Sequence, residues 1–433
     1  LRAFKKQVAA SKGTIMNGQY DRRSVLKVGA AATAAWAIGN EAFAAESSGA
    51  KPMERVRVGL VGVGARGTVL LKVLLDLEGV EVKAVCDIIE DRVVKGRNLV
   101  TAAGKPKPAG YSRGETDFKR LCETEDLDLV INAVRPWKWH VPISVAAMNA
   151  GKHAATEVPA SETIEGCWQL VETAEKTHKY CVILENCCYF RNVMLVHNML
   201  RHGLFGELRH CEAGYQHYIA DPATAGRVRD GKPRSANAYP THPLGPVAQW
   251  LDINRGNRFD YLVSMSADGT RGSRDADINT SLLRTVHGQT VTLYYDTKLP
   301  RPYDLIYRVQ GTKGIYSATL EQIYIEGRSP KSVTWEPMGA YYKEFENPLW
   351  EAWGEKALSQ GGHGGADWME LYRLIKALRT GAAPDIDVYD AATWSCITEL
   401  SEKSVATRSS PQDFPDFTKG RWKTTRPIGV IGV

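Results

Sequence analysis

The sequence predicts an α/β chain in two parts: an N-terminal parallel sheet, then a C-terminal α+β region with a large, mostly antiparallel open sheet. Three observations predict it. A glycine-rich turn joins an apolar strand to a helix near residue 62. Strands and helices then alternate to about residue 190. After Gly203 the pattern changes to successive strands of alternating polarity, closed by two amphipathic helices.

With 433 residues and a formal net charge of +6, the chain is long enough for one large or two ordinary domains with proper cores. The charge is modest and no long basic run appears, so nucleic acid is a poor fit as a partner. The segment "DRRSVLKVGAAATAAWAIGNEAFAAE" has a basic start at Arg22 and Arg23, an Ala/Gly-rich apolar run, and a cleavage site at Ala42-Phe43-Ala44. Paired arginines followed by Ser24, Val25, Leu26 and Lys27 resemble a twin-arginine export signal, with Met16 read as the start and residues 1–15 as upstream sequence. The expectation is export, to the periplasm or beyond the cell, with residues 1–53 as signal and linker. The apolar run is too short and interrupted to be a permanent membrane span. Eight cysteines occur, with no C-x-x-C pair and no Cys/His spacing that fits a metal site. A chain folded in a reducing compartment needs no disulfides, so the cysteines read as buried small apolar residues, and no metal is expected.

Residues 54–190 read as a Rossmann dinucleotide-binding domain. In "RVRVGLVGVGARG", Val56, Val58, Leu60 and Val61 form a buried parallel strand. Gly62, Gly64 and Gly67 follow in G-x-G-x-x-G spacing, with Ala65 and Arg66 between them, and "TVLLKVLLDL" has helical spacing. A glycine turn alone is only a turn. Between a strand and a helix it becomes a phosphate cradle: one glycine for the turn, one for close phosphate approach, one for helix–strand packing. The next strand, "VEVKAVCD", ends at Asp87, at the distance where a carboxylate takes the ribose hydroxyls and favours NAD over NADP; Arg92 nearby weakens that preference. "DLDLVINAVRP", "HAATEVPAS" and "YCVILENCCYF" continue the strands. Ligands in such sheets sit beyond the strands' carboxyl ends. Trp137, His140, Glu157, Val158, Asn186 and Tyr189 all lie at those ends.

Residues 191–433 read as the substrate-binding α+β domain. "GELRHCEAGYQHY", "DYLVSMSAD", "NTSLLRTVHG", "QTVTLYYDTKL", "DLIYRVQGTKG" and "EQIYIEG" alternate as strands. "ADWMELYRLIKALRTG" and "VYDAATWSCITELSEKSVAT" are amphipathic helices, and "SSPQDFPDFTKGRWKTTRP" reads as a wrapping tail. His363 in "GGHGG" sits on a loop, either as a binding residue or as part of a turn.

This arrangement resembles the glucose–fructose oxidoreductase / inositol dehydrogenase family (Gfo/Idh/MocA) over most of the chain after residue 54. Within it, "GVGARG", "WKWH", "TEVPASETIEGCWQLVE", "ENCCYF", "AYPTHPLGPVAQWLDINRGNR", "PRPY", "QGTKG" and "GGHGGADW" together resemble glycoside hydrolase family 109, the NAD-dependent α-N-acetylgalactosaminidases. Ordinary dehydrogenases of the wider family carry Glu-Lys-Pro, whose lysine assists proton transfer; here the motif is Glu157-Val158-Pro159. Ala366 and Pro243 depart from residues common in the glycosidase motifs, which bears on substrate shape rather than on the chemistry.

The resemblance implies NAD as cofactor and a terminal N-acetylgalactosaminide as substrate. It also implies an unusual route, in which oxidation of the sugar C3 hydroxyl acidifies the C2 hydrogen. Elimination of the C1 group, addition of water and reduction follow. NAD-dependent glycosidases stand outside the two-carboxylate scheme. The residues implied as catalytic are His242, Tyr239, Tyr189, Glu157 and Tyr303, with His242 as principal acid/base. Gly62, Gly64, Ala65, Arg66, Gly67, Asp87, Trp137, His140, Glu157, Val158 and Asn186 are implied for the cofactor. Tyr215, Arg227, Tyr239, His242 and Tyr303 are implied for the sugar. A histidine titrating near neutrality and tyrosines suit proton transfers at several oxygens. The alternatives are a periplasmic sugar oxidoreductase of the same fold, which accumulates NADH, and a non-catalytic binding protein, which turns over no glycoside. A homo-oligomer is compatible with either enzyme reading.

Overall fold

Short runs of β-branched and small apolar residues, buried on both faces, build the first sheet. Its strands are β1 (Val56–Val61), β2 (Val80–Cys86), β3 (Ala109–Tyr111), β4 (Leu129–Asn132), β5 (His153–Thr156) and β6 (Cys181–Ile183). Their order is β3-β2-β1-β4-β5-β6, and every pairing is parallel. All residues of β4, β5 and β6 are buried, as helices on both faces require. The strand order reverses between β1 and β4, which opens a crevice at their carboxyl ends. The sequence pattern does not predict β3, because three residues beside prolines carry no periodicity. The computed structural model describes residues 52–219, 234–267, 269, 276–360 and 362–433, so the twin-arginine segment and Arg227 lie outside the described residues.

The second sheet holds β7 (Leu208–Gln216), β8 (Phe259–Ser266), β9 (Ile278–Thr285), β10 (Thr290–Asp296), β11 (Arg308–Gly311), β12 (Gly314–Ser317), β13 (Gln322–Ile325), β14 (Glu336–Pro337) and β15 (Gln412–Asp413). Their order is β14-β13-β12-β11-β7-β10-β9-β8-β15. Pairing is antiparallel except between β7 and β10. Strand β9 alternates as its sequence does: Asn279, Ser281, Leu283 and Thr285 are buried, while the residues between them are not. "QGTKG" closes the β11–β12 hairpin: Gln310 and Gly311 end β11, Thr312 and Lys313 make the turn, and Gly314 opens β12. The tail pairs Gln412 and Asp413 with β8, and Lys419 and Arg421 then reach Glu175 on the Ile164–Thr177 helix. Among the described residues no helix is long and apolar enough to cross a membrane.

The division at residue 190 omits a return of the chain. The Ala366–Thr380 helix comes back onto the first layer, where Trp368 Nε1 donates to Asp76 Oδ2 at 2.9 Å and Arg379 O accepts from Met53 N at 2.9 Å. The Val388–Ser395 helix follows, tied down by Arg255, which forks onto Asp390 at 2.8 and 2.6 Å. This buried ion pair gives the Arg255 of "INRGNR" a structural task. All eight cysteines are buried and unpaired.

Gly67 marks how tightly this fold closes on its glycine loop. A Cβ there would lie 1.8 Å from Gly62 O. Gly67→Ala is expected to lower unfolding free energy by at least about 1–3 kcal/mol, the usual range for overpacking. Urea unfolding checks this, and a variant as stable as its parent would contradict it.

Candidate functional site

The cofactor cradle follows from the strand–turn–helix. Gly62 turns with φ +89°, and a Cβ there would meet Ala133 at 2.8 Å. Above Gly64 the space is open: a Cβ would meet only the Arg92 guanidinium, at 3.6 Å. The Ala65–Asp76 helix starts here with no side-chain cap and no acidic residue in its first turn. Its leading N–H groups are therefore available to an anion. Asp87 Oδ2 accepts from Val63 N at 2.9 Å, and Oδ1 accepts from Ile89 N at 3.0 Å. The acidic residue thus anchors the loop while presenting a carboxylate beside it. The open space over Gly64, the uncapped helix start and the carboxylate fit the phosphates and ribose of a dinucleotide.

Arg66 lies between two acids. Its Nε donates to Glu157 Oε1 and its Nη1 to Asp367 Oδ2, both at 2.6 Å. Asn186 Nδ2 donates to Asp367 Oδ1 at 2.7 Å, and His363 Nδ1 lies 3.0 Å from Asp367 Oδ2. Burial favours the neutral form of Asp367, but hydrogen bonds from His363 and Arg66 and the charge of Arg66 outweigh it, holding the carboxyl below its usual range. Burial likewise opposes the Arg66 charge and is outweighed by Glu157 and Asp367. One turn along the same helix, Glu370 is buried with both oxygens unpartnered, and its pKa rises because of burial and then the charge of Glu157.

The second group of residues is aromatic and imidazole. The Thr241–Trp250 helix carries His242 in its first turn. A Cβ on Gly245 would come within 2.8 Å of Glu185 Cγ and 3.0 Å of Cys188 Sγ, so only glycine lets this helix press against the end of β6. The result is a 2.6 Å contact between His242 Nδ1 and Glu185 Oε1, with the Glu185 side chain fully buried. Tyr307 Oη donates to His242 O at 2.7 Å and fixes the backbone. Around the imidazole, ring centroids lie 4.9 Å away for Tyr239 and 5.7 Å away for Tyr215. Tyr239 also packs on Trp137 at 5.7 Å. His217 closes the far side: Tyr215 Oη lies 3.3 Å from its Nδ1, and Tyr303 stands edge-on at 5.0 Å. Tyr303 is 52% exposed and forms the rim.

Burial raises the hydroxyl pKa values of Tyr215, Tyr239 and Tyr303; for Tyr239 the charges of Glu157 and Glu185 add to it. These phenols are therefore protonated donors at neutral pH. Burial lowers the pKa of His217, which favours a neutral, accepting ring.

Tyr239, His242, Tyr215 and Tyr303 thus come together. Glu157, Arg66 and Asn186 also meet, through Asp367. Val158 is buried, as an aliphatic side chain requires, and offers no proton-transfer group. Two predicted residues stand elsewhere. Tyr189 donates to Asp385 Oδ2 at 3.2 Å, alongside the Arg373–Asp385 ion pair, because the short 3-10 turn Asn186–Tyr189 carries its hydroxyl away from His242. His140 is fully buried, with Nδ1 2.6 Å from Pro159 O and Nε2 3.0 Å from Val134 O; it holds two crevice loops together. Sequence reasoning did not single out Glu185, His217, Asp367 or Cys187. Glu185 carried a usable signal, its place at the end of β6 on the crevice edge. Asp367 carried one in the four-residue His363–Asp367 spacing of "GGHGGADW", and His217 one in the Tyr215-x-His217 spacing on a strand; no spacing records the reach of Asp367 to Arg66 and Asn186.

Family descriptions match both halves. "Oxidoreductase family, NAD-binding Rossmann fold" covers residues 56–184, and "Glycosyl hydrolase 109, C-terminal domain" covers residues 189–275 and 270–424. A glycosyl hydrolase family 109 protein of Shewanella pealeana is 43% identical over 407 residues, spanning 88% of this chain and 89% of its own. An alpha-N-acetylgalactosaminidase of Shewanella oneidensis is 39% identical over 454 residues, spanning 95% and 99%. Among solved structures, an NAD binding oxidoreductase from Klebsiella pneumoniae aligns with a TM-score of 0.68 at 14% identity, over 84% of this chain and 100% of its own. Levoglucosan dehydrogenase in complex with NADH aligns at 0.65 with 16% identity, over 83% and 99%. These structures share the fold.

The Asp367 carboxyl titrates lower in the folded chain than its ordinary value of 3.8. Its contribution to stability is therefore complete above that value and lost as pH falls toward the folded value. Asp367→Asn is expected to lower unfolding free energy by about 3–5 kcal/mol at pH ~7, since it leaves Arg66 short of a partner. The gap to the parent closes below pH ~4. Denaturant unfolding across pH checks this; a gap independent of pH would contradict it.

Proposed function

The chain belongs to glycoside hydrolase family 109, and on that premise we propose that it hydrolyses terminal N-acetylgalactosaminides by oxidation, elimination, water addition and reduction. The observation that carries this reading is the His242–Glu185 pair, set among protonated phenols at the carboxyl edge of the NAD-binding sheet. When bound, NAD supplies a reversible hydride acceptor at that edge. Arg66, Glu157, Asp367 and Asn186 shape the deeper wall against which it would lie.

The residues divide the proton work. Glu185 holds the His242 ring in one orientation, so its other nitrogen can take the proton of the sugar C3 hydroxyl and later return it. The Tyr215–His217 pair offers a second accepting ring, suited to the C2 proton. Tyr239, its hydroxyl held protonated by burial, and Tyr303 at the rim can hydrogen-bond and protonate the departing glycosidic oxygen. Two imidazole sites on one aromatic wall suit a route with several proton transfers better than one hydride transfer alone. Val158 stands where ordinary dehydrogenases of the fold carry lysine, which favours the hydrolase over a sugar oxidoreductase. The proposal includes export to the periplasm, supported by the Arg22-Arg23 pattern; cell fractionation that left the protein in the cytoplasm would contradict it.

Purified protein given an aryl α-N-acetylgalactosaminide is expected to release the phenol without net NADH, and to place solvent deuterium at C2 of the sugar. Stoichiometric NADH without phenol would point instead to an oxidoreductase. Hydrolysis with C2 hydrogen fully retained would exclude the elimination route. Glu185→Gln is expected to lower kcat by about 10²–10⁴-fold with little change in KM. A variant with unaltered kcat would remove the carboxylate from the account.

A further inference from the structure

We propose that Glu185, Cys187 and His242 also form a binding site for one soft divalent cation of the Zn²⁺ class, and that the bound cation reversibly blocks turnover. Their ligand atoms all lie within 4.8 Å of one another. Donors of a tetrahedral zinc site stand roughly 3–4 Å apart, given Zn–S near 2.3 Å and Zn–N near 2.0 Å, so a small rearrangement, with the 2.6 Å His242–Glu185 contact opening, would set the three donors at that spacing. Glu185 is buried, and its second oxygen, Oε2, has no hydrogen-bond partner. Its first oxygen already holds His242 Nδ1 at 2.6 Å and accepts from Cys187 N at 3.2 Å. The Cys187 thiol lies 3.6 Å from Asn186 Oδ1 and also hydrogen-bonds Tyr307, contacts that a metal bond would replace. A free acceptor lone pair in a dry site is disfavoured unless a proton or a cation meets it.

The donor set decides which cation. Thiolate, imidazole and carboxylate together suit Zn²⁺, Cd²⁺ or Co²⁺, whereas Mg²⁺ and Ca²⁺ require oxygen ligands. On binding, Cys187 releases its proton to solvent and its sulfur bonds the metal; the His242 proton that faces Glu185 moves to the other ring nitrogen, the freed lone pair and one from Glu185 meet the ion, and nothing is oxidised or reduced. Two anionic donors then balance the charge of a divalent ion. Access is through His242, whose side chain is 13% exposed, while Glu185 lies behind it. The blocking clause rests on the role given to His242 above, since a metal-bound imidazole cannot shuttle a proton. The binding clause does not.

Co²⁺ serves as the probe. The full-length protein is treated with a chelator, freed of it, and titrated with CoCl₂ while thiolate-to-cobalt charge-transfer absorption is followed. One equivalent is expected to produce the band, and Zn²⁺ is expected to displace it. Cys187→Ser is expected to abolish the band, while Cys211→Ser, a buried cysteine on β7, keeps it. Absence of the band in the parent, or its survival in Cys187→Ser, would overturn the site. Should Cys187→Ser not fold, His242→Asn must weaken Co²⁺ binding at least about tenfold, and unchanged binding overturns the site equally. Zn²⁺ is expected to stop phenol release, and chelator to restore it; cobalt and zinc binding with undiminished turnover overturns the blocking clause. A protein that shows the band but hydrolyses no glycoside supports the site and counts against the proposed function alone.

Discussion

The contact between His242 and Glu185 joins the two halves of this chain at the point where chemistry is expected. Glu185 leaves the end of a strand in the parallel sheet, and His242 opens a helix that packs on the second sheet. A buried carboxylate is disfavoured by several kcal/mol unless it is paired. The imidazole answers that demand, and in doing so is held in one orientation. Gly245 makes the approach possible because any larger residue would strike Glu185 itself. Packing, electrostatics and the proposed catalytic geometry thus meet in a single 2.6 Å contact.

A second joint lies deeper. Arg66 comes from the first helix of the nucleotide fold, and Asp367 from a helix more than three hundred residues later in the chain. One guanidinium between Glu157 and Asp367 locks the returning helix to the glycine loop. Cofactor cradle and substrate region are thereby built as one body, with the crevice between them. Arg255, a buried arginine, pairs with Asp390 and ties down the Val388–Ser395 helix. Similar ion pairs have different consequences because of what stands beside them.

Much of this was legible in the sequence. The glycine loop, Asp87 and the strand rhythm follow from local pattern, and the structure keeps them in place. The carboxyl-edge rule placed Trp137, Glu157 and Asn186 at strand ends, where the structure has them. It misled at Tyr189, because a strand end fixes the position of a backbone and not the direction of a hydroxyl. It also misjudged His140, whose ring ties loop to loop. The decisive partners of Glu185 and Asp367, His242 and Arg66, lie 57 and 301 residues away, and no spacing records that; His217 pairs with nearby Tyr215, a spacing left unread. Tyr215, Tyr239, His242 and Tyr303 were found through family resemblance; their common location is a product of tertiary packing.

If His242 and Glu185 act as a unit, their effects on rate cannot be independent. A double-mutant cycle on kcat, with Glu185→Gln, His242→Asn and the combined variant, tests this most directly. The account predicts that the double variant is no slower than His242→Asn alone, because the carboxylate works only through the ring. Losses that multiply would show that the two side chains act separately, and the central claim would fail.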